Sequence, residues 1–200
     1  MTRVKDGFTL VEMIGVLAVI ALLSAMLAPK IFEIISDTKI TRVAGEVRVY
    51  EAALANWYKD IGSLHSVNAS CVPTNTTTTY DFGPFLTGTT STGCRRYNGP
   101  YLDTLPEASI GTVALISNFY STATTSTNAN TTFDLNADGT GDTVSKRTIA
   151  LVYQGVSRED FEALDNIIDS NVSIATLGHD AGGKVKFVNG SEVYVYIAHK

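Results

Sequence analysis

The sequence predicts an α+β protein in which one long N-terminal α-helix packs on a small antiparallel β-sheet. A predominantly apolar run covers residues 8–28, and helical spacing of apolar residues then continues to Ile61. Near the C-terminus, two stretches of alternating polarity flank Asn189 and Gly190, a pair typical of a tight β-hairpin. A helix and strands of this kind are stable when the apolar stripe of the helix covers one face of the sheet.

Size and charge limit the class of protein. The chain has 200 residues, of which 44% are hydrophobic, and a formal net charge of -5. This length fits one domain with an appendage. The acidic balance argues against a nucleic-acid surface, because phosphate binding needs clustered Lys and Arg. No nucleic-acid partner is therefore predicted.

The N-terminal segment allows three interpretations. A secretory signal fits the basic start and the apolar run, but cleavage after Ala28 would leave Pro29 directly behind the cut. A plain membrane anchor fits the length of the run, yet it leaves Glu12 as a cost of roughly 2.5–3.5 kcal/mol at bilayer depth. Cleavage between Gly7 and Phe8 explains the acid, because the new α-amino group of Phe8 can pair with Glu12 of a neighbouring copy.

This stretch resembles the processing site of type IV pilins and of the pseudopilins of type II secretion. The matching string is Gly7-Phe8-Thr9-Leu10-Val11-Glu12. In that family a prepilin peptidase cuts after the glycine and methylates the new N-terminal phenylalanine. The resemblance therefore implies cleavage after Gly7 and N-methylation of Phe8, with Glu12 guiding assembly.

The same resemblance extends along the helix and implies a division of the chain. Gly15 and Pro29 fall where family members carry a small residue and a helix-weakening proline, which would let the helix stretch during assembly. The expected fold is type IV pilin-like. The implied segments are a leader at 1–7, a transmembrane and filament-core helix at 8–29, an amphipathic helix packed on the head at 30–62, and a globular head at 63–200.

An apolar seam follows Pro29 and predicts where the helix meets the head. Its members recur at intervals of three and four residues, which places them on one helical face. They are Ile40, Val43, Val47, Tyr50, Leu54, Trp57 and Ile61. Gly62 then ends the helix. A coiled-coil dimer is the alternative to packing against the head.

Residues 65–133 are rich in Thr, Ser, Asn and Gly. Such composition predicts long surface loops between short ordered pieces. Cys71 and Cys94 lie in this region and would form a disulfide in an exported domain. Two free thiols or a partial metal site are the alternatives.

A run of oxygen-bearing side chains at every second position suggests a Ca²⁺ loop. The candidate ligands are Asp134, Asn136, Asp138, Thr140 and Asp142. Gly139 permits a sharp turn, and the pattern resembles the first half of an EF-hand or thrombospondin-repeat loop. Ser145 stands where an EF-hand has a bidentate Glu. The alternative is a loop of Asx turns. No cofactor is required, and calcium is the one ion that the sequence suggests.

The C-terminal third predicts ordered elements. Residues 148–153 form a predicted strand, and Ser157 is the predicted N-cap of a helix. Phe161, Leu164 and Ile168 make the apolar stripe of that helix. Residues 184–188 and 192–197 form the predicted hairpin around Asn189 and Gly190.

The expected function is structural rather than enzymatic. His65, His179 and His199 are isolated in the sequence, and the Gly182-Gly183 pair lacks the rest of a phosphate-loop motif. The resemblance implies a subunit of a type IV pilus that polymerises through its N-terminal helix. The alternatives are a pseudopilin of a type II secretion filament and a monomeric, membrane-anchored binding module stabilised by calcium.

Partners and location are also implied by the resemblance. The partners would be identical subunits, a prepilin peptidase, an assembly platform with its ATPase, and a secretin. The protein would span the inner membrane once before assembly. After assembly it would lie in an extracellular pilus at the cell surface.

Overall fold

The computed structural model describes residues 8–74, 80–90, 93–105, 107–120, 132–136, 138, 140–169 and 182–200. The chain divides into two compact units, Met1–Thr38 and Lys39–Lys200. The second unit contains the sheet and is called the head below.

The first element is the helix α1, Leu10–Ile61, of 52 residues. It continues through Pro29 without a break. Gly62 follows its last turn with a φ of 80°, and its amide donates to the carbonyl of Tyr58. This is the left-handed position at which glycine commonly ends a helix. The predicted long N-terminal helix is confirmed.

The buried stripe of α1 begins at Ile40. All seven residues of the predicted seam are buried, together with Ala53. The apolar residues just after Pro29 remain exposed: Ile31, Phe32, Ile34 and Ile35. Packing within the head therefore starts about ten residues later than the proline.

Among its described residues, the head contains one antiparallel sheet of five strands in the order β1-β2-β3-β5-β4. The strands are β1 Tyr80–Asp81, β2 Val113–Tyr120, β3 Arg147–Gln154, β4 Val185–Val188 and β5 Glu192–His199. Two helices accompany them, α2 Gly83–Leu86 and α3 Arg158–Ile168. The α+β, pilin-like fold that the sequence predicts is confirmed.

The two faces of the sheet are covered differently. On β5 the burial alternates, so Val193, Val195 and Ile197 join the main core with the seam of α1. Tyr194 and Tyr196 point to the opposite face, where Phe119 and Phe133 form a second cluster. β3 lies in the middle and is buried on both faces, which explains its continuous apolar sequence.

The sequence predicts short ordered pieces among the loops of residues 65–133, but it did not locate the strand β2. Ile116 and Phe119 of this eight-residue strand are buried in the two clusters. Ser117 and Asn118 interrupt its apolar pattern, which hid the strand between Thr-rich flanks. Asn118 is fully buried, and both ends of its side-chain amide are satisfied there. Its nitrogen donates to the Leu64 carbonyl, and its oxygen accepts from the Arg147 guanidinium at 2.9 Å.

The C-terminal predictions are confirmed with small shifts of boundary. The Ser157 hydroxyl accepts from the Asp160 amide at 3.1 Å and caps α3. Asn189 and Gly190 have φ values of 53° and 74°, as a type I′ hairpin turn requires. β5 extends two residues beyond the predicted end, to His199.

Candidate functional site

The first turn of α1 is closed by a reciprocal pair of hydrogen bonds. The Glu12 amide donates to the Thr9 hydroxyl at 3.3 Å. In return, Glu12 Oε2 accepts from the Thr9 amide at 2.8 Å and from the Thr9 hydroxyl at 2.9 Å. This is a capping box, which satisfies backbone donors that a helix start would otherwise leave bare.

The capping role of Thr9 was missed at the sequence level, although its signal is present. A Thr followed three residues later by a Glu, directly before an apolar run, is the pattern of a capping box. The Glu12 carboxylate thus has a role inside its own chain as well as the predicted role between chains.

The segment from Phe8 to Lys39 presents its side chains outward along its whole length. Every residue in it is exposed, and Phe8 is 83% exposed. One 18-residue window of α1 has a mean hydropathy of 2.5 with none of its residues buried. By length and composition this stretch can cross a membrane. An apolar surface of this extent requires lipid or protein around it.

The remaining predicted assembly residues lie on this same helix. A methyl group added at Gly15 would meet nothing within 4 Å, so the position is open. Pro29 lies inside α1. Gly7, the predicted cleavage site, lies outside the described residues.

The family model of the prokaryotic N-terminal methylation motif matches residues 2–28 of the chain. The N-terminal segment is that of the type IV pilin and pseudopilin family. The matched region contains Phe8, Glu12 and Gly15 and ends just before Pro29. The motif implies processing by a prepilin peptidase and association with a membrane. No curated protein and no solved structure matches the chain.

Cys71 and Cys94 form the predicted disulfide, with their Cα atoms 4.9 Å apart. Cys94 is buried in the main core and Cys71 packs against it. The bond joins two segments that precede and follow β1 and α2. It therefore fastens the segment between α1 and β2 to the core.

The predicted calcium loop is closed by hydrogen bonds from its own backbone. Asp134 Oδ1 accepts from the Asp138 amide at 3.1 Å, and Asp138 Oδ1 accepts from the Thr140 amide at 2.8 Å. Asn136 Oδ1 also accepts from the Asp138 amide at 3.1 Å. Asp142 Oδ2 accepts from the Leu135 amide at 2.8 Å.

This geometry is typical of Asx turns. The bonds that Asp138 accepts from Thr140 and Asn136 lower the pKa of its carboxyl group. Gly139 lies outside the described residues. Within the described part of the chain, no three His, Cys, Asp or Glu side chains are grouped as metal ligands. Calcium binding stays a prediction, and the loop would have to exchange backbone bonds for the ion.

Two histidines of the head contact neighbouring side chains. His65 Nδ1 hydrogen bonds with the Ser63 hydroxyl at 2.8 Å, just after α1. His199 contacts Tyr196 Oη through Nδ1 at 2.6 Å and Lys146 Nζ through Nε2 at 3.2 Å. Burial lowers the pKa of both histidines, and Lys146 lowers that of His199 further. His179 lies outside the described residues.

A buried carboxylate at the end of α3 was not found from the sequence. Asp169 Oδ2 accepts from the amides of Lys184 and Val185, each at 2.7 Å. It thereby ties the C-terminus of α3 to the start of β4. Burial and the neighbouring Asp165 raise the pKa of Asp169 to about 6, although the two amides favour its charged form.

Proposed function

We propose that this protein is the structural subunit of a type IV pilus, polymerising through its N-terminal helix into a surface filament. The observation that carries the proposal is the exposed apolar surface from Phe8 to Ile35, which begins directly after the predicted cleavage site and overlaps the methylation motif. In the membrane this surface is covered by lipid. In the filament it is covered by the same segment of neighbouring copies.

Glu12 sets the axial register of neighbouring subunits in this proposal. Both donors of Thr9 reach Oε2 of Glu12. In the filament, the second oxygen, Oε1, would accept from the α-amino group of Phe8 in the next copy. A pair of opposite charges costs far less inside an apolar bundle than a single carboxylate.

The partners and locations follow from the same proposal. A prepilin peptidase removes residues 1–7 while α1 anchors the chain in the inner membrane. An assembly platform, driven by its ATPase, then extracts the subunit into the growing filament. A secretin provides the exit through an outer membrane. The role is structural, and we assign no reaction to the head.

A pseudopilin of a type II secretion system is the second candidate. The loop from Asp134 to Asp142, with its calcium-like pattern, favours this function. So does the sequence from Gly99 to Thr112, which loosely resembles the segment before the sheet in major pseudopilins. The disulfide and the Thr-rich stretches favour a surface pilus. The two candidates differ in where the filament is found.

The first test is mass spectrometry of the mature N-terminus in filaments sheared from the cell surface. A chain beginning at methylated Phe8 and abundant in long filaments is the expected result. Processed Phe8 found only in envelope membranes would favour the pseudopilin. An unprocessed chain beginning at Met1 would contradict both candidates.

The second test addresses the pairing of Glu12. Glu12→Ala should abolish or slow filament assembly while the head still folds, because a neighbouring Phe8 amine would lose its counter-charge. Glu12→Asp is the matched control, since it keeps the charge on a shorter side chain, and it should assemble better than Glu12→Ala. A normal filament yield from Glu12→Ala would contradict the pairing mechanism.

A further inference from the structure

The exposed apolar surface of α1 is longer than the hydrocarbon core of a bilayer. Within the helix it covers residues 10–35, about 40 Å at a rise of 1.5 Å per residue. The hydrocarbon core is only about 30 Å thick. When the first turn of α1 lies at one edge of the core, the opposite edge falls near Pro29 and Lys30. Residues 31–35, which are mostly apolar, are therefore left beyond the spanning part.

The part of α1 just beyond that edge is amphipathic. We call residues 30–38 the juxtamembrane segment; all of its residues are exposed. At about 100° per residue, its four large apolar side chains fall within an arc of about 160°, which we call the apolar side. They are Ile31, Phe32, Ile34 and Ile35, each between 46% and 72% exposed. Three charged residues, Lys30, Glu33 and Asp37, fall within an arc of about 60° on the opposite, charged side.

Polar groups of the segment are arranged to match these two sides. On the charged side, Lys30 Nζ and Glu33 Oε2 are 2.8 Å apart, and both side chains are mostly exposed. Thr38 falls on the apolar side at about 100° per residue. Its hydroxyl donates to the Ile34 carbonyl at 2.7 Å. A hydroxyl that is bonded to its own helix in this way enters a less polar environment at a lower cost.

We propose that the juxtamembrane segment lies in the interface of the membrane that holds the unassembled subunit, with its apolar side against lipid. Headgroups and the ends of acyl chains would cover the four apolar side chains, and the three charged residues would face water. Interfacial amphipathic helices bury their apolar side by roughly 5–10 Å in this way. This inference goes beyond the proposed function, because it applies equally to a pilus subunit and to a pseudopilin. It rests on the membrane association that the motif implies.

Lipid is the occupant that the position of the segment favours. The apolar side continues directly from residues 10–28, the stretch of α1 that can cross a membrane. The buried stripe of the head begins only at Ile40. The described head therefore leaves the apolar side of the segment bare. A neighbouring copy could cover it only after assembly, whereas lipid is present from the start.

An interfacial position requires α1 to be tilted from the membrane normal. An upright helix would expose every side of the segment to water alike, and its apolar side chains would stay uncovered. A helix whose apolar length exceeds the thickness of the bilayer commonly tilts instead. Tilting lowers one side of the segment onto the lipid and lifts the other side away from it. Because the charged residues share one side, they select the direction of the tilt.

Thiol labelling of the full chain in lipid nanodiscs tests this position. Each nanodisc holds one copy in phosphatidylethanolamine and phosphatidylglycerol, so contact between copies is excluded. Ile35→Cys on the apolar side and Glu33→Cys on the charged side are labelled with a membrane-impermeant maleimide. Cys71 and Cys94 are joined in the disulfide and do not react. Ile35→Cys should react roughly tenfold more slowly than Glu33→Cys, because the apolar side must leave the lipid before the thiol can react.

This comparison separates tilt from depth. Ile35 lies farther along α1 from the spanning part than Glu33, so an upright helix would make Ile35→Cys the faster of the two. That result, or equal rates, would overturn the proposal. Glu33→Cys also removes the ion pair with Lys30, but exposed pairs contribute little to stability. Asp37→Cys leaves that pair intact and is the control, which should react as fast as Glu33→Cys.

Spin-labelled lipids identify what covers the apolar side. A fluorophore attached to Ile35→Cys should be quenched by lipids that carry a nitroxide on the headgroup. The same fluorophore attached to Asp37→Cys should be quenched much less. A slowly reacting thiol at residue 35 without quenching would mean that protein rather than lipid covers it, and would overturn the proposal. Neither measurement needs filaments, so each can fail while the proposed function stands.

A polar substitution tests whether the apolar side holds the segment at the lipid. Ile31→Cys is the reporter, because residues 31 and 35 lie one turn apart on the same side of α1. Adding Ile35→Asn should raise the labelling rate of the reporter severalfold. Asp37→Asn introduces the same residue on the charged side and should leave the rate unchanged. A reporter that reacts equally slowly with and without Ile35→Asn would contradict the proposal.

Discussion

Glu12 caps the first turn of its own helix, and in the proposed filament it would also pair with a neighbouring copy. Its Oε2 is committed to the amide and the hydroxyl of Thr9 within the same chain. A negative charge in the first turn is also favoured by the positive end of the helix dipole. The acid is therefore partly satisfied before any neighbour arrives. This lowers the cost of holding it near the membrane while the subunit waits for assembly.

Thr9→Ala should fray the first turn of α1, because it removes one half of the capping box. The expected cost is about 1 kcal/mol, the usual value for loss of an N-cap side chain. Faster amide hydrogen exchange at Glu12 and Met13 in detergent micelles is the measurement. Thr9→Ser keeps the hydroxyl and should exchange like the unaltered protein. Equal exchange in Thr9→Ala would show that the cap contributes nothing.

Asp169 should make the stability of the head depend on pH. Its pKa is raised from 3.8 to about 6 by burial first and then by Asp165. A raised pKa means that folding favours the protonated form. The stabilising contribution of Asp169 to the free energy of unfolding is fully present below pH 3.8 and is lost as the pH rises through about 6.

Asp169→Asn should therefore stabilise the full chain at pH 7.5, by up to roughly 2–3 kcal/mol. The amide oxygen of Asn can still accept from Lys184 and Val185, without the cost of a buried charge. The gain should vanish near pH 3.5. Urea unfolding followed by the fluorescence of Trp57, the single tryptophan, measures it. Asp103→Asn is the exposed control and should show no such dependence. A constant difference between pH 3.5 and 7.5 would contradict the assignment.

Among the elements, the loop from Asp134 to Asp142 shows how one pattern supports two structures. Oxygen side chains at alternate positions suit a calcium ion, and they also suit backbone amides. In the structure the amides of Leu135, Asp138 and Thr140 occupy them. An ion would have to compete with bonds that already close the loop.

Calcium, if bound, should therefore bind weakly and should stabilise the head through this loop. Isothermal titration of the full chain with millimolar CaCl₂ is the measurement, with MgCl₂ as the control for ionic strength. Asp138→Asn should weaken the binding, because it removes a carboxylate from the centre of the candidate ligand set. Heat of binding that survives this change would place the ion elsewhere, and no heat at millimolar calcium would contradict the prediction.

The elements that could be predicted from the sequence are those with strong local signals. Periodic apolar residues revealed the seam of α1, Ser157 revealed the start of α3, and Asn189 with Gly190 revealed the hairpin. β2 gave no such signal, because Ser117 and Asn118 break its alternation. Asn118 is tolerated there only because distant groups, the Leu64 carbonyl and Arg147, satisfy its amide. Long-range hydrogen bonds of this kind leave no trace in local sequence.

In the candidate site too, residues with a local signal could be predicted and long-range contacts could not. Phe8, Glu12, Gly15 and Pro29 could be placed from a local motif and from the length of the apolar run. The contact of Asp169 with β4 could not, because it joins residues 15 and 16 positions apart across the end of α3.

At the scale of the whole molecule, the two units of the chain differ in how they bury their apolar side chains. The head buries its apolar residues in two clusters around one sheet. The N-terminal unit buries none of its described side chains. The head thus has its own hydrophobic core, whereas the apolar side chains of the N-terminal unit need lipid or protein around them. The proposed filament would cover the apolar side chains that the N-terminal unit leaves exposed.

The order of the strands has a further consequence for a protein stored at high local concentration. Among the described strands, the two at the margins of the sheet are the shortest, β1 with two residues and β4 with four. The three eight-residue strands lie between them. A long unpaired edge strand would promote backbone pairing between crowded subunits, and with it irreversible aggregation. With short edge strands, heads that lie side by side in the proposed filament would meet through their side chains, and such contacts can form and break without unfolding either partner.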